Sequence, residues 1–346
     1  MSDWQQPGES PAVAFGRIIS LAIFEETLHN EFIEKYSQKY RERCCVMGEI
    51  RNVYYPQNEM NTVLLPVATG CPYNQCAFCS MYKDEIYQEV PIQEIEQELM
   101  NGVPYTERIF LTGADPLAVG YDRIFRILKL IAKYFPYCGC VAAYASVRSL
   151  KRYCVEELES LHREGLRLLY VGFETGDDEV LTFMKKGNIA EEAVQQGRKL
   201  AEADLMFNAI IMYGIAGKGK SVRNAKLTAK MLNQLNPRKI ITMNLTVFQG
   251  TELARLVEKQ EFVEAGVREK RDEIKVLIEN LDVGKKVEFD TTHATNLVKL
   301  QGWLPEQREE FIEKLEDLDG YKNKRENNKM EADHNFQYVC IACGTD

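Results

Sequence analysis

The chain has 346 residues and a formal net charge of −9, with 45% hydrophobic and 27% charged residues. These proportions are typical of an ordinary soluble enzyme, and the length suits one large domain with appendages. The negative charge argues against general nucleic-acid binding, which needs clustered lysine and arginine. Binding of a nucleotide, or a localised tRNA contact, stays open.

The stretch formed by residues 1–11 is polar and lacks the basic region of a signal peptide. No apolar segment reaches the length of about 18 residues that a membrane span needs. Ten cysteines without a secretion signal indicate a reducing compartment and a metal or redox use. We therefore predict a cytoplasmic protein that makes no membrane contact.

Three cysteines follow the first apolar run, residues 62–68, in the pattern C-x4-C-x2-C. They are Cys71, Cys76 and Cys79, and residues 69–79 are called the cysteine loop below. Thiolates this close in sequence can converge on one soft metal centre, and a [4Fe–4S] cluster is its usual occupant. A cluster held by three protein thiolates keeps one iron open for another ligand. A zinc site and buried unligated thiols are the alternatives.

Helical and strand patterns alternate after the cysteine loop. Six strands are predicted, at residues 63–67, 108–111, 140–145, 166–173, 207–213 and 240–247. Helices are predicted between them, at residues 92–99, 121–134, 154–164, 177–203 and 221–235. This alternation is the signature of parallel βαβ units, in which the working residues lie at the carboxyl ends of the strands.

The cysteine loop is similar to that of the radical S-adenosylmethionine (SAM) superfamily. Its members carry three cysteines after the first strand and an aromatic residue before the last cysteine, here Phe78. The usual spacing is C-x3-C-x2-C, so the extra residue between Cys71 and Cys76 is a departure. The resemblance implies a partial (β/α)6 barrel of α/β class. It also implies that the three cysteines hold the cluster and that the open iron binds the amino and carboxylate groups of SAM.

The fourth predicted strand carries the most specific further match. It ends in Gly172-Phe173-Glu174-Thr175-Gly176 and resembles the signature of the coproporphyrinogen dehydrogenase-like and methylthiotransferase-like members, a match that Lys186-Gly187 continues. The resemblance implies that Glu174 hydrogen-bonds SAM at the ribose. A carboxylate that closes an apolar strand needs a partner, which favours a ligand role.

The remaining SAM-binding candidates lie at the ends of the second, third and fifth strands. They are Gly113, Ala114, Asp115, Pro116, Ser146, Arg148, Tyr213, Gly214 and Ile215. In the resemblance the first four occupy the motif whose backbone meets the SAM amino group; Gly113 and Pro116 match it, while Ala114 and Asp115 depart from its commonest form. Tyr213 and Ile215 are candidate neighbours of the adenine. Ser146 and Arg148 are expected at the barrel mouth, where they meet SAM or substrate or cap a loop.

Residues 214–221 also satisfy the phosphate-loop pattern G-x4-G-K-S between a strand and a helix. A phosphate-loop protein needs a later apolar strand ending in aspartate to hold magnesium, and the sequence shows none. A nucleotide-binding protein that uses Lys220 and Ser221 is therefore the less favoured alternative.

Beyond residue 253 the sequence predicts a charged helix at 261–280, a polar turn at 289–296 and a capping helix at 305–318. His293 in the turn is a catalytic candidate, with a hydrogen-bonded structural histidine as the alternative. The pair Cys340 and Cys343 is a candidate metal site, with an unbound tail as the alternative.

Four segments are expected: a helical extension at 1–50, the barrel at 51–260, a helical cap at 261–320 and a flexible tail at 321–346. The resemblance implies an oxygen-sensitive enzyme that cleaves SAM reductively to a 5′-deoxyadenosyl radical. The radical abstracts hydrogen from a small-molecule or cofactor-precursor substrate, and the electron comes from a donor of the flavodoxin or ferredoxin type. The alternative is a SAM-binding iron–sulfur carrier, or a chaperone of haem or another cofactor, without turnover.

Overall fold

The structure of the protein, a computed structural model, describes residues 53–323 with the exception of residue 283. The predicted helical extension at 1–50 and the pair Cys340 and Cys343 lie outside the described residues. The division of the chain into four segments stays a prediction.

An eight-stranded sheet in the order β1-β4-β5-β6-β7-β8-β9-β10 forms the centre of the fold. Its strands are parallel except for β10, and β2 and β3 form a separate antiparallel pair. The strands are β1 Val63–Pro66, β2 Ala68–Thr69, β3 Gln88–Glu89, β4 Arg108–Thr112, β5 Cys140–Ser146, β6 Leu166–Glu174, β7 Met206–Tyr213, β8 Lys239–Asn244, β9 Val287–Asp290 and β10 Gln301–Leu304.

Helices follow most of the parallel strands and cover one face of the sheet. They are α1 Ile92–Met100, α2 Tyr121–Tyr134, α3 Val147–Leu150, α4 Val155–Arg163, α5 Asp178–Phe183, α6 Ala190–Glu202, α7 Ser221–Leu232, α8 Glu252–Glu258, α9 Val267–Asn280 and α10 Arg308–Asn323. Helix α2 shows why they pack there: Ile124, Ile127, Leu128 and Ile131 form one buried stripe at helical spacing.

The two faces of the sheet carry different cores because side chains alternate along each strand. The face toward the helices belongs to the large core, with residues such as Leu169 and Ala209. The opposite, inner face carries a smaller cluster in which Phe110 and Tyr170 are buried and Tyr144 packs against them. The three rings meet edge to face, with centroids 5.2–6.1 Å apart.

The predicted fold class is confirmed: the chain folds as a mostly parallel α/β sheet that contains all six predicted strands. Among the described strands β1 and β10 are the two edges, so the sheet is open, as in a partial barrel. No helix in the described part of the chain is long and apolar enough to cross a membrane.

One part of the prediction was wrong. The sixth predicted strand is not the last, because β9 and β10 continue the sheet, and the expected turn at 289–296 begins with the end of β9. Val287 and Phe289 enter the large core, while Glu288 and Asp290 lie on the inner face. Lys239 Nζ lies 2.8 Å from Glu288 Oε1 and 3.1 Å from Asp290 Oδ2 and compensates both charges. This residue pattern therefore forms a strand, although its charges indicate a turn. The predicted helices at 261–280 and 305–318 begin later, at Val267 and Arg308.

Candidate cluster and cofactor site

The carboxyl ends of the parallel strands meet at one edge of the sheet, and the cysteine loop begins there, directly after β2. Cys71, Cys76 and Cys79 are free thiols of intermediate burial. The loop turns at Asn74, which has a positive φ of 47° and donates its N–H to the Cys71 sulfur at 3.3 Å. This turn folds back the chain between Cys71 and Cys76, which are five residues apart.

The middle of the cysteine loop is fastened to two distant parts of the chain through Ala77. Its N–H donates to the carbonyl of Met184 at 2.9 Å, and its carbonyl accepts from the N–H of Leu253 at 2.8 Å. The Tyr73 hydroxyl donates to the carbonyl of Lys185 at 2.9 Å. Phe78 packs against a buried apolar cluster beside the loop that contains Ala77, Met184, Ile215 and Leu253. The loop is therefore held by backbone bonds and by apolar packing.

A buried ion pair lies next to the thiols. Lys186 Nζ is 2.6 Å from Glu174 Oε1, and the two side chains are only 13% and 10% exposed. Burial opposes the charge of Lys186, but Glu174 and the thiols of Cys76 and Cys79 outweigh it and raise its pKa above the ordinary value. Burial also raises the pKa of Cys76, and that of Cys79 to about 11. The positive charge of Lys186 therefore lies where it would stabilise thiolates at Cys76 and Cys79.

The backbone of β6 is shaped to bring the Glu174 carboxylate to this place. Glu174 has a φ of 64°, in the left-handed region that non-glycine residues seldom adopt, and the β6–β7 register shifts between Gly172 and Glu174. The carboxylate folds back over Gly172, where a Cβ would lie 2.8 Å from Oε1 of Glu174 and 3.3 Å from Lys186 Nζ. Gly172 therefore leaves the space that the ion pair occupies.

At the end of β4 the Asp115 carboxylate is engaged by two serines. It accepts hydrogen bonds from Ser146 Oγ at 2.6 Å and Ser149 Oγ at 2.8 Å. Burial nevertheless raises its pKa. Ser146 also caps α3 by accepting the N–H of Ser149. The structure therefore joins two predicted SAM contacts in a network that fixes the ends of β4 and β5 to one another.

The other predicted residues of the second strand end follow the same turn. Gly113 has a φ of 129°, and a Cβ there would lie 2.9 Å from the carbonyl oxygen of Ala68, so only glycine lets β4 pass the start of the cysteine loop. Ala114 is half-buried, and Pro116 begins the short 3₁₀ turn Pro116–Val119. A backbone role for Gly113 toward SAM stays a prediction.

Arg148 lies at the mouth of the site but contacts the cysteine loop. Its guanidinium is 4.0 Å from the centroid of the Tyr73 ring and donates to the carbonyl of Gly187 at 3.4 Å. A cation over an aromatic face is an attractive contact of modest strength when it is exposed. Arg148 therefore ties the cysteine loop to the segment that carries Lys186.

The two residues predicted to lie near adenine, at the end of the fifth predicted strand, lie in different surroundings. Tyr213 is buried in the large core toward the helices, and its hydroxyl accepts the N–H of Leu297 at 3.0 Å. Ile215 lies in the apolar cluster beside the cysteine loop. Their adenine role stays a prediction, with Ile215 the better placed of the two.

The glycine loop, residues 214–220, has its amides occupied by α9 and the segment before it. The Gly214 N–H donates to Glu273 Oε2 at 2.8 Å, the Gly219 N–H to Glu269 Oε1 at 2.6 Å, and the Lys218 N–H to the carbonyl of Val263 at 2.8 Å. A phosphate loop uses such amides to bind anionic oxygens. Carboxylates already take this place, which disfavours the nucleotide-binding alternative.

Glu273 gives a testable pH dependence. Burial raises its pKa to about 7, although Gly214 and Asn224 donate hydrogen bonds to its carboxylate. A carboxyl group that holds its proton more tightly when folded favours folding at low pH, and this contribution is lost as the pH rises from 4.5 to about 7. Between pH 5 and 8 the free energy of unfolding of the wild type should fall by about 2–3 kcal/mol more than that of Glu273→Gln. Urea unfolding at several pH values measures this, and parallel curves would contradict it.

His293 follows β9 at the same edge of the sheet. Its Nδ1 is 2.8 Å from Thr295 Oγ1, and burial lowers its pKa, with a further contribution from Lys299. The ring is therefore neutral at pH 7 and is held by its own loop. Its catalytic role stays a prediction.

The donor set of the site consists of three thiols. Three thiols lie in one loop with a buried cation beside two of them, which suits a thiolate-ligated centre. Across the described residues, no three His, Cys, Asp or Glu side chains are grouped closely enough to hold one ion, and this includes the three thiols as they stand. The choice between an iron–sulfur cluster and zinc therefore does not follow from the geometry.

Sequence reasoning missed the partners of the site residues. Lys186 stood inside the matched motif without a role, and Ser149 and Tyr73 were not singled out. The position of Lys186 directly before Gly187 was the available signal. No local pattern connects Ser149 with Asp115, which lies 34 residues earlier.

A model of the radical SAM superfamily matches residues 65–223. Among solved structures, coproporphyrinogen III oxidase (HemN) of Escherichia coli is 17% identical, with a TM-score of 0.49 over 63% of this chain and 51% of that one. The radical SAM methyltransferase TsrM of Kitasatospora setae is 15% identical, with a TM-score of 0.46 over 57% and 37%. Methylornithine synthase (PylB) is 15% identical, with a TM-score of 0.46 over 84% and 88%. The match thus spans about half of the length of HemN and less than half of the length of TsrM. No curated protein sequence matches it.

Proposed function

We propose that the chain belongs to the radical SAM superfamily, whose model matches residues 65–223, and that it is an enzyme that binds a [4Fe–4S] cluster and SAM at the site described above. Cys71, Cys76 and Cys79 would hold the cluster. Together the two cofactors supply reductive cleavage of SAM and a 5′-deoxyadenosyl radical for hydrogen abstraction. The substrate is a small molecule or cofactor precursor, and the electron donor is of the flavodoxin or ferredoxin type.

One observation supports this proposal above the others. The buried Lys186–Glu174 pair at the end of β6 lies beside the thiols of Cys76 and Cys79, so the two most specific sequence matches meet in space. Nothing in the separate sequence patterns requires that meeting. A low-dielectric site with fixed charges is the setting in which a charged cofactor is held in one orientation.

The protein's own residues have distinct tasks in this proposal. The ion pair engages Oε1 of Glu174, and Oε2 is left to accept a hydrogen bond from SAM. Lys186 stabilises the negative charge of the thiolate-bound cluster. Phe78 and the apolar cluster around Ala77 keep water away on one side of the cysteine loop. The Asp115–Ser146–Ser149 network holds the neighbouring strand ends in place.

The test is anaerobic reconstitution with iron and sulfide, followed by measurement of bound iron and of 5′-deoxyadenosine formed from SAM and dithionite. We expect about four iron atoms per chain and deoxyadenosine formation. The triple variant Cys71→Ala/Cys76→Ala/Cys79→Ala should lose both. The control Cys138→Ser/Cys154→Ser removes two thiols elsewhere and should keep both.

Two results would count against the proposal. Full iron content in the triple variant would show that other residues hold the cluster. The second result combines two observations: the triple variant loses its iron, but the wild type forms no deoxyadenosine even with candidate substrates present. This result would favour the carrier or chaperone alternative. A haem titration followed by its Soret absorption would then test that alternative.

A further inference from the structure

A cavity lies at the opposite edge of the sheet from the cysteine loop. It is an open cavity of about 530 Å³, lined at the amino ends of the parallel strands. Arg108 and Cys140 are the first residues of β4 and β5, Arg167 is the second residue of β6, Met206 begins β7, and Arg238 precedes β8. The length of the strands separates this cavity from the site that the proposed function uses.

Three arginines give the cavity a positive character. Arg108 is neutralised by the buried Glu59, with contacts of 2.5 and 2.9 Å. Arg167 donates to the carbonyl of His162, a neutral partner that leaves its charge uncompensated. Arg238 is exposed, and within residues 53–323 its side chain has no hydrogen bond or ion pair. Two guanidinium charges are therefore available to an anion.

The arginines also lie near one another. Burial raises the pKa of Cys140, and Arg108, Arg167 and Arg238 all act against that rise. Arg108 Nη1 is 2.9 Å from the Cys140 sulfur. All three arginines thus line the cavity within electrostatic reach of Cys140, and Arg167 and Arg238 are the two whose charges are available to an oxyanion.

A buried polar group without a partner lies on the same face of the sheet as part of the cavity lining, although it does not itself line the cavity. Asn208 is fully buried, and neither its Oδ1 nor its Nδ2 has a hydrogen-bond partner among the described residues. It follows Met206 by two residues and pairs in register with Tyr170, so it lies on the sheet face that lines the cavity.

We propose that this cavity binds the phosphate or carboxylate group of a small molecule, with Arg167 and Arg238 as its main charged contacts. Leu168 and Tyr170 provide an apolar wall next to the arginines. This wall suits an anionic group attached to an apolar or aromatic body. The inference is independent of the proposed function, because it uses none of the residues at the carboxyl ends of the strands.

The test is isothermal titration of the reconstituted full chain with inorganic phosphate and with phenyl phosphate, in chloride buffers of constant ionic strength. We expect saturable binding, and Arg167→Gln/Arg238→Gln should weaken it at least tenfold. The control Arg126→Gln/Arg163→Gln removes the same charge from the helical side and should bind as the wild type does. Tighter binding of phenyl phosphate would identify an anion carried by a larger molecule, and equal binding would identify free phosphate.

A second measurement locates the ligand. Alkylation of Cys140, followed by peptide mass spectrometry, should be slowed by phosphate in the wild type and not in Arg167→Gln/Arg238→Gln. Absence of binding at millimolar concentration, or equal weakening in the two double variants, would overturn the proposal.

Discussion

Lys186→Met is expected to destabilise the protein by about 3–5 kcal/mol and to abolish deoxyadenosine formation. The substitution keeps most of the side-chain volume but leaves the Glu174 carboxylate, 10% exposed, without its counter-charge. Removing one partner of a buried ion pair costs this much because the remaining charge stays desolvated. The free energy of unfolding from urea titration under anaerobic conditions measures the loss.

The neighbouring Lys185 provides a matched control. It pairs with Glu252 at 2.6 Å, but the two side chains are 51% and 34% exposed. Solvent screens such a pair, so Lys185→Met should cost about 0–1 kcal/mol. The double variant Lys186→Met/Glu174→Gln should recover most of the stability lost in Lys186→Met, since no buried charge remains. A double variant as unstable as the sum of the two single variants would show that the pair is not coupled.

Gly172→Ala is expected to lower the rate of deoxyadenosine formation at least tenfold and to cost about 1–3 kcal/mol of stability. The added methyl group would lie 2.8 Å from Oε1 of Glu174, so the carboxylate must leave the position in which it meets Lys186. Because the rest of β6 is unchanged, the main effect should be on the site and not on the fold. Rate and unfolding measurements on the same preparation separate the two effects.

Gly139→Ala serves as the comparison for this substitution. A Cβ at Gly139 would meet no atom within 4 Å, so this variant should match the wild type in rate and in stability. If Gly172→Ala were as active as Gly139→Ala, the place of the carboxylate over Gly172 would have no importance for catalysis.

Much of the fold was readable because buried parallel strands are short apolar runs between amphipathic helices. The limit of this reasoning is visible at β9. Its inner-face residues Glu288 and Asp290 are charged, and the compensating Lys239 lies 51 residues before Asp290. A single-sequence pattern contains no information on such a partner, so the strand was interpreted as part of a turn.

In the candidate site, too, some features were predictable from the sequence and others were not. The three cysteines and Glu174 stand in short motifs whose spacing can be recognised directly. The ion pair with Lys186, the two serines on Asp115 and the stacking of Arg148 on Tyr73 arise from contacts between separate loops. They depend on the backbone geometry at Glu174 and Gly172, which the residue types alone do not specify.

The hydrogen bonds of Ala77 have a consequence for biosynthesis. One partner, Met184, lies after the fourth parallel strand of the main sheet, and the other, Leu253, lies after the sixth. Contacts at such sequence separation form only when the intervening chain has been made and folded. During translation the cysteine loop therefore leaves the ribosome long before its final supports exist. We therefore expect iron and sulfur to be incorporated only after the chain as far as Leu253 has been made and folded.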